Sequence, residues 1–182
     1  MTRVINLFGG PGTGKSTTAG AVFAELKYRG VNCEYVQEYA KDKAWEFGKN
    51  HMVVPKVFEA QEYIFGKQHF RFRRCASEVD MIVTDCPLLL GLVYTPEEFP
   101  LPSLRPMIRE AYDLYDNLNV FLVRNKPYNP SGRFQSEEQA KELDGVVRRM
   151  LDEQGLQYHV VDAGREAVDD IMKLAADRGW PV

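Results

Sequence analysis

Five strand-like runs alternate with helical patterns along this chain, and this alternation limits the possible folds more than any other feature. Each run ends in polar or glycine residues, and the runs cover 3–8, 33–37, 79–84, 118–123 and 156–161. Strands separated by helices need crossover connections, which make neighbouring strands parallel and place helices on both faces of the sheet. The sequence therefore predicts a three-layer α/β fold with a five-stranded, mostly parallel sheet.

Helical spacing supports the segments between these strands. Apolar residues at i, i+3, i+4 and i+7 follow the first strand: Ala19, Val22, Phe23 and Leu26. Gly30 is a natural C-cap for that helix. Ser136 and Gln139 have the spacing of a capping box. Further helical patterns cover 57–72, 104–117 and 165–178.

Composition is that of one globular domain spanning 1–182. The chain is 45% apolar and 27% charged, and no apolar run is long enough to span a membrane. The start, "MTRVINLFGG", lacks the organisation of a signal peptide, and three scattered cysteines are typical of reduced thiols. These features predict a cytoplasmic protein. A net charge of −3 gives no general attraction to nucleic acid.

A glycine-rich loop, "GGPGTGKST", follows the first strand and precedes the first helix. It satisfies the pattern G-x-x-x-x-G-K-[ST], in which backbone N–H groups converge on phosphate oxygens. The predicted nucleotide-binding residues are Gly9, Gly10, Pro11, Gly12, Thr13, Gly14, Lys15, Ser16 and Thr17. Lys15 can reach the β- and γ-phosphates, and the Ser16 hydroxyl can bind Mg²⁺. The alternative is an ordinary glycine-rich turn.

Two carboxylates stand at the ends of predicted strands. Asp85 follows the third strand in "MIVTDCPLLL", and Glu38 follows the second in "CEYVQEYAKD". If the third strand neighbours the first, Asp85 lies beside the phosphate loop and can bind Mg²⁺, while Glu38 faces an acceptor hydroxyl. The residues alone leave open which carboxylate is the base and which binds metal, and each could instead be a solvated loop residue or a helix cap.

The segment "RNKPYNPSGRFQ", 124–135, has the composition of a lid. Arg124 leaves the fourth strand, and Lys126 and Arg133 follow among proline, glycine and asparagine residues. Cations on a closing loop can neutralise charge on a transferred phosphate. An ordinary surface connection is the alternative.

Two glutamines, Gln61 and Gln68, share an otherwise apolar stripe in the pattern at 57–72. A buried amide needs partners, and a nucleobase edge could supply them, as could backbone groups or solvent. The stretch "KQHFRFRR", 67–74, then interleaves cations such as Arg71 with Phe70 and Phe72. Such a surface can hold phosphates and stack on bases. A solvated helix face with two core aromatics is the alternative.

Four segments together resemble one group of proteins: "GGPGTGKST", "EYAKD", "TDCPLL" and "KPYNPSGRFQSEEQA". The group is the phage-encoded kinase-like ATPases related to the nicotinamide riboside kinase domain, which includes 5-hydroxymethyluracil DNA kinases. The resemblance covers about residue 3 to about residue 162. It implies a P-loop kinase fold, ATP and Mg²⁺. By position it implies ATP binding by the loop, an acidic pair of Asp85 and Glu38, and Arg133 as the lid arginine.

The resemblance also implies an acceptor: the hydroxymethyl group of 5-hydroxymethyluracil in DNA, a modified base. The alternatives are a free nucleoside or nucleotide, such as nicotinamide riboside, and a nucleotide-binding ATPase that is not a kinase. A motor ATPase should show a second carboxylate beside Asp85, and "TDCP" has one. A non-catalytic module would not need Glu38, Asp85 and a cationic lid together.

Overall fold

The described residues of the computed structural model are 1–47, 56–125 and 136–182. They form one sheet of five parallel strands in the order β2-β3-β1-β4-β5. The strands are β1 Arg3–Phe8, β2 Cys33–Val36, β3 Met81–Thr84, β4 Asp116–Val123 and β5 His159–Asp162. The predicted fold class is confirmed.

Helices cover both faces of this sheet. They are α1 Lys15–Tyr28, α2 Tyr39–Phe47, α3 Gln61–Ala76, α4 Leu90–Tyr94, α5 Leu104–Asp113, α6 Glu137–Glu153 and α7 Ala167–Asp177. One apolar core joins the sheet to α1 and α7, and the other joins it to α3, α4, α5 and α6. No helix in the described part of the chain is long and apolar enough to cross a membrane.

Local signals at two helix ends agree with the structure. The Ser136 hydroxyl accepts a hydrogen bond from the Gln139 N–H, and the Gln139 side chain accepts one from the Ser136 N–H. Gly30 follows α1 with φ +79°, a conformation that glycine adopts without steric cost. The predicted capping box of α6 and the predicted glycine at the end of α1 are therefore both present.

The predicted helix at 57–72 is wrong at its beginning. A short 3-10 helix, Lys56–Phe58, precedes α3, which begins only at Gln61. The Gln61 side chain donates to the carbonyl oxygen of Phe58 at 2.5 Å. Val57 is consequently not on the apolar stripe of α3, where the buried residues are Phe65, Gln68, Phe72 and Cys75.

Strand register brings three strand ends to one edge of the sheet. Thr84, the last residue of β3, pairs with Asn6 of β1 and with Val36 of β2. Because the strands are parallel, the residues that follow them meet at the same edge. The predicted adjacency of the third and first strands is confirmed, and it places Asp85 beside the end of β1.

Candidate nucleotide site at the carboxyl edge of the sheet

The glycine-rich loop links β1 to α1 by a tight turn. Gly12 and Gly14 have φ of +80° and +102°, which side chains with a Cβ rarely adopt. The Lys15 ammonium folds back over this turn and donates to the carbonyl oxygens of Gly9 at 2.7 Å and Gly10 at 2.8 Å. Helix α1 begins directly after this turn, at Lys15, so its N-terminus faces the loop.

Burial dominates the electrostatics of Lys15. It lowers the pKa of the ammonium below the usual 10.5, while nearby Glu38, Asp85, Cys86 and Asp144 act in the opposite direction. A desolvated cation gains from a second anionic partner, since loss of hydration is then offset by attraction. The position suits a phosphate.

Asp85 is the most buried carboxylate of this edge, with 2% of its surface exposed. Its Oδ1 accepts a hydrogen bond from the Glu38 N–H at 3.1 Å. The Thr84 hydroxyl donates to the Val36 carbonyl at 2.8 Å and accepts from the Cys86 N–H at 3.1 Å. The ends of β2 and β3 are therefore bonded to each other where the two predicted acidic residues emerge.

Tyr35 joins this acidic edge to the phosphate loop. Its hydroxyl lies 3.4 Å from the Ser16 carbonyl oxygen and close enough to the Asp85 carboxylate for that charge to affect its pKa. Burial and the Asp85 charge raise the pKa of Tyr35 above its usual range. The hydroxyl is consequently a neutral donor at physiological pH.

The oxygens of Asp85 and Ser16 fit Mg²⁺, which is held in such sites by one or two protein oxygens together with phosphates and water. The Ser16 hydroxyl also lies 3.5 Å from the Lys41 ammonium, which comes from α2. A hard cation at Ser16 would compete with that ammonium. The oxygens of Asp85 and Ser16 are therefore suitable ligands for Mg²⁺, and the Lys41 ammonium lies beside the Ser16 oxygen.

Gln68 links the two loops that carry the carboxylates. Its Oε1 accepts from the Tyr39 N–H at 2.9 Å, and its Nε2 donates to the carbonyl oxygens of Gln37 at 3.3 Å and Cys86 at 3.2 Å. The side chain is 4% exposed. Backbone groups, the alternative left open by the sequence, are its partners here. A substrate contact by Gln68 would have to replace these bonds and stays a prediction.

Arg71 and its neighbours on α3 line a groove of about 560 Å³ beside β2. The Arg71 guanidinium donates to the Gln37 carbonyl and to Asp42, and it stacks on the Tyr39 ring. Phe70 is 66% exposed, whereas Phe72 is 1% exposed. The groove is formed by Glu34, Tyr35, Gln37, Tyr39, Asp42, Lys67, Phe70, Arg71 and Arg74. The alternative of two core aromatics therefore holds for Phe72 and not for Phe70.

Arg124 lies at the other side of the phosphate loop. It donates to the Pro11 carbonyl oxygen at 2.9 Å and to the Asp144 carboxylate at 3.1 Å. Its predicted substrate role stays a prediction. Most of the predicted lid, including Lys126 and Arg133, falls in 126–135 and lies outside the described residues.

Sequence reasoning did not single out four residues of this site: Tyr35, Lys41, Tyr94 and Asp144. Tyr94 ends α4, and its side chain is 45% exposed. Burial around the hydroxyl nevertheless raises its pKa, with contributions from Glu38 and Cys86. The hydroxyl therefore lies close enough to Glu38 for that charge to affect its pKa. Of the four, Tyr35 and Lys41 lie in a segment that the sequence marked, "CEYVQEYAKD".

An all-parallel sheet in this order, with a glycine-rich phosphate loop between β1 and α1, defines a P-loop protein of the α/β class. The chain belongs to the AAA domain family, whose model matches residues 4–167. Among curated proteins no match to this chain is found.

Solved structures share the fold at low sequence identity. A crystal structure of NadR protein in complex with NR is 18% identical with a TM-score of 0.73, and a NadR complex with NAD and AMP-PNP is 16% identical with a TM-score of 0.69. Both cover 100% of this chain, which spans 53% and 51% of those chains. Thymidylate kinase from Candida albicans is 13% identical with a TM-score of 0.61, covering 98% of this chain and 92% of its own.

Proposed function

We propose that the protein is an ATP-dependent kinase that phosphorylates an alcohol on a nucleoside-type acceptor. The observation that carries this proposal is the bond between the two acidic loops at the rim of the phosphate loop, where the Asp85 carboxylate accepts from the Glu38 N–H. Both carboxylates lie close enough to Lys15 to affect its pKa. A protein that only binds nucleotide has no need of a second carboxylate here.

The chain's residues divide the chemistry as follows. Lys15 neutralises charge on the β- and γ-phosphates, and the loop N–H groups orient them. Glu38 orients the acceptor hydroxyl and accepts its proton as the new oxygen–phosphorus bond forms and ADP leaves. Asp85 and Ser16 hold Mg²⁺, which supplies positive charge to the phosphate oxygens when bound.

For the acceptor we propose the hydroxymethyl group of 5-hydroxymethyluracil in DNA. The resemblance of the motifs supplies most of this choice, and the groove beside β2 adds a physical reason. Gln37 and Tyr39, which flank Glu38, line it together with Lys67 and the exposed ring of Phe70. A nucleic acid strand in this groove would place one nucleotide near Glu38, while a cation and an aromatic face contact its neighbours.

Two of the cations that the sequence pattern placed along the groove have acidic neighbours. Arg71 bonds to Asp42, and Arg74 lies 3.9 Å from Glu34. Phosphate binding would therefore depend mainly on Lys67, with the two arginines exchanging partners. With a single phosphate contact of this kind, the affinity for DNA should fall only gradually as the salt concentration rises.

Transfer of labelled phosphate from ATP to 5-hydroxymethyluracil DNA and to the corresponding free nucleoside tests the acceptor. We expect DNA labelling that weakens with salt and falls in a Lys67→Ala, Phe70→Ala variant, with nucleoside labelling unchanged by the substitutions. Lys173→Ala, an exposed charge removal on α7, is the matched control. Efficient labelling of the nucleoside alone would overturn the DNA acceptor and favour a free nucleoside kinase. ATP consumption without any acceptor would instead identify a simple ATPase.

A further inference from the structure

Asp144 of α6 bonds to the phosphate loop from outside the predicted nucleotide site. Its Oδ1 accepts a hydrogen bond from the Gly10 N–H at 2.6 Å. Its Oδ2 accepts from Arg124, at 3.3 Å from Nε and 3.1 Å from Nη2. Both carboxylate oxygens are thus used, one by the loop and one by the arginine that follows β4.

Arg124 bonds to Pro11, the next residue of the loop. Its Nη2 donates to the Pro11 carbonyl oxygen at 2.9 Å and lies 3.4 Å from the Ala140 carbonyl oxygen of α6. The Arg124 and Asp144 side chains are 10% and 22% exposed. An N–H and a carbonyl of adjacent loop residues are therefore fixed by one largely buried ion pair.

The approach of α6 explains why Gly10 is a glycine. A Cβ at this position would lie 2.6 Å from the Ala140 carbonyl oxygen and 2.6 Å from Asp144 Oδ1. The Gly10 N–H donates to Asp144, so the predicted contact of this amide with a phosphate would have to replace that bond and stays a prediction. Its carbonyl accepts from Lys15 on the inner side.

We propose that Asp144 is a positioning residue that holds the phosphate loop in its nucleotide-binding shape before ATP arrives. The inference rests on the proposed ATP site. Asp144 would not touch ATP: it fixes Gly10 directly and Pro11 through Arg124, so the remaining loop N–H groups converge without rearrangement. Preorganisation of this kind strengthens binding by removing the ordering cost.

A purely structural role for Asp144 would show itself in stability and not in the ATP affinity of the folded protein. The helix packs through its apolar face, which buries Ala140, Val147, Met150 and Leu151. Asp144 is not part of that face. Loss of its carboxylate leaves that packing intact but removes the anion bonded to the largely buried Arg124, so we expect a lower melting temperature as well as weaker ATP binding. Binding is therefore compared at a temperature at which every variant is folded.

The test compares Asp144→Ala, Asp144→Asn and Glu142→Gln, an exposed charge removal on the same helix. The measurements are the Kd for ATP, the turnover number and the melting temperature. We expect Asp144→Ala to weaken ATP binding by about tenfold, which corresponds to one charge-assisted hydrogen bond. Asp144→Asn should lose less, because its amide oxygen still accepts from the Gly10 N–H. Glu142→Gln should match the wild type.

The outcomes separate this inference from the proposed function. Wild-type protein that binds ATP, with Asp144→Ala binding it equally well, overturns the positioning role and leaves the kinase intact. A loss of binding that appears only at temperatures at which the Asp144 variants begin to unfold assigns the residue to the fold alone and also overturns it. Wild-type protein that binds no ATP overturns the proposed function, and the positioning role falls with it.

Discussion

At the scale of single residues, the site is a balance between one buried cation and several acids. Burial lowers the pKa of Lys15, and the surrounding carboxylates only partly oppose this effect. Asp85 is buried at the same edge and is bonded to the backbone that carries Glu38. The charges of the site therefore lie in low-dielectric surroundings, where the charge of a bound phosphate interacts strongly with them.

The pH dependence of ATP binding follows from the lowered pKa of Lys15. Phosphates stabilise the ammonium, so its pKa is higher in the complex than in the free protein, and ATP prefers the protonated form. We expect affinity to be constant at low pH and to fall as pH rises through the free protein's pKa, with the onset below 10.5. Titrations from about pH 7 to about pH 10 measure this. Lys15→Ala should bind more weakly and without that fall, whereas affinity that rises with pH would contradict the assignment.

The two carboxylates should differ in what their removal changes. Asp85→Asn removes the proposed metal ligand, so we expect turnover to collapse or to require much more Mg²⁺. Glu38→Gln removes the proposed proton acceptor, so turnover should fall by roughly 10²–10⁴-fold with ATP affinity intact. Steady-state kinetics across a Mg²⁺ series, together with ATP binding, separate the two. Equal losses of ATP affinity and turnover in Glu38→Gln would place Glu38 on ATP instead.

At the scale of elements, α3 serves three surfaces at once. Phe72 packs into the core, Gln68 bonds to the loops at the sheet edge, and Phe70 faces the groove. The periodicity of the sequence predicted the apolar stripe, but it could not assign partners to Gln68, because those partners lie just after β2 and β3. Phe70 and Phe72 look alike in the sequence and lie on opposite sides of the helix.

This pair of phenylalanines gives a matched test of the core. Phe72→Ala should lower the free energy of unfolding by about 3–5 kcal/mol, because it leaves a cavity in a packed interior. Phe70→Ala should change it by less than about 0.5 kcal/mol, because the ring is exposed. Urea denaturation of both variants measures the difference. Similar destabilisation by the two substitutions would show that the position of α3 is wrong.

At the scale of the whole molecule, alternation and motif predicted the architecture, because both are local signals. The five strands, the loop at Gly9–Thr17 and the edge that carries Asp85 all follow from segments of a few residues. The contacts that shape the site do not. Gly10 meets Asp144 across 134 positions of the chain, and the Arg71–Asp42 pair neutralises charge that the pattern at 67–74 left free. Such pairs depend on how helices pack against the sheet.

The central claim is that this P-loop protein transfers phosphate to an acceptor with Lys15 at the transferred group. Transfer of label from the γ-position of ATP to a panel of nucleoside and DNA acceptors, by wild type and by Lys15→Ala, tests it most directly. We predict acceptor-dependent labelling by the wild type, and a loss in Lys15→Ala that corresponds to about 3–4 kcal/mol of transition-state stabilisation with the fold retained. A Lys15→Ala protein that keeps more than about a tenth of wild-type turnover, a cost of at most about 1.4 kcal/mol, would contradict the account.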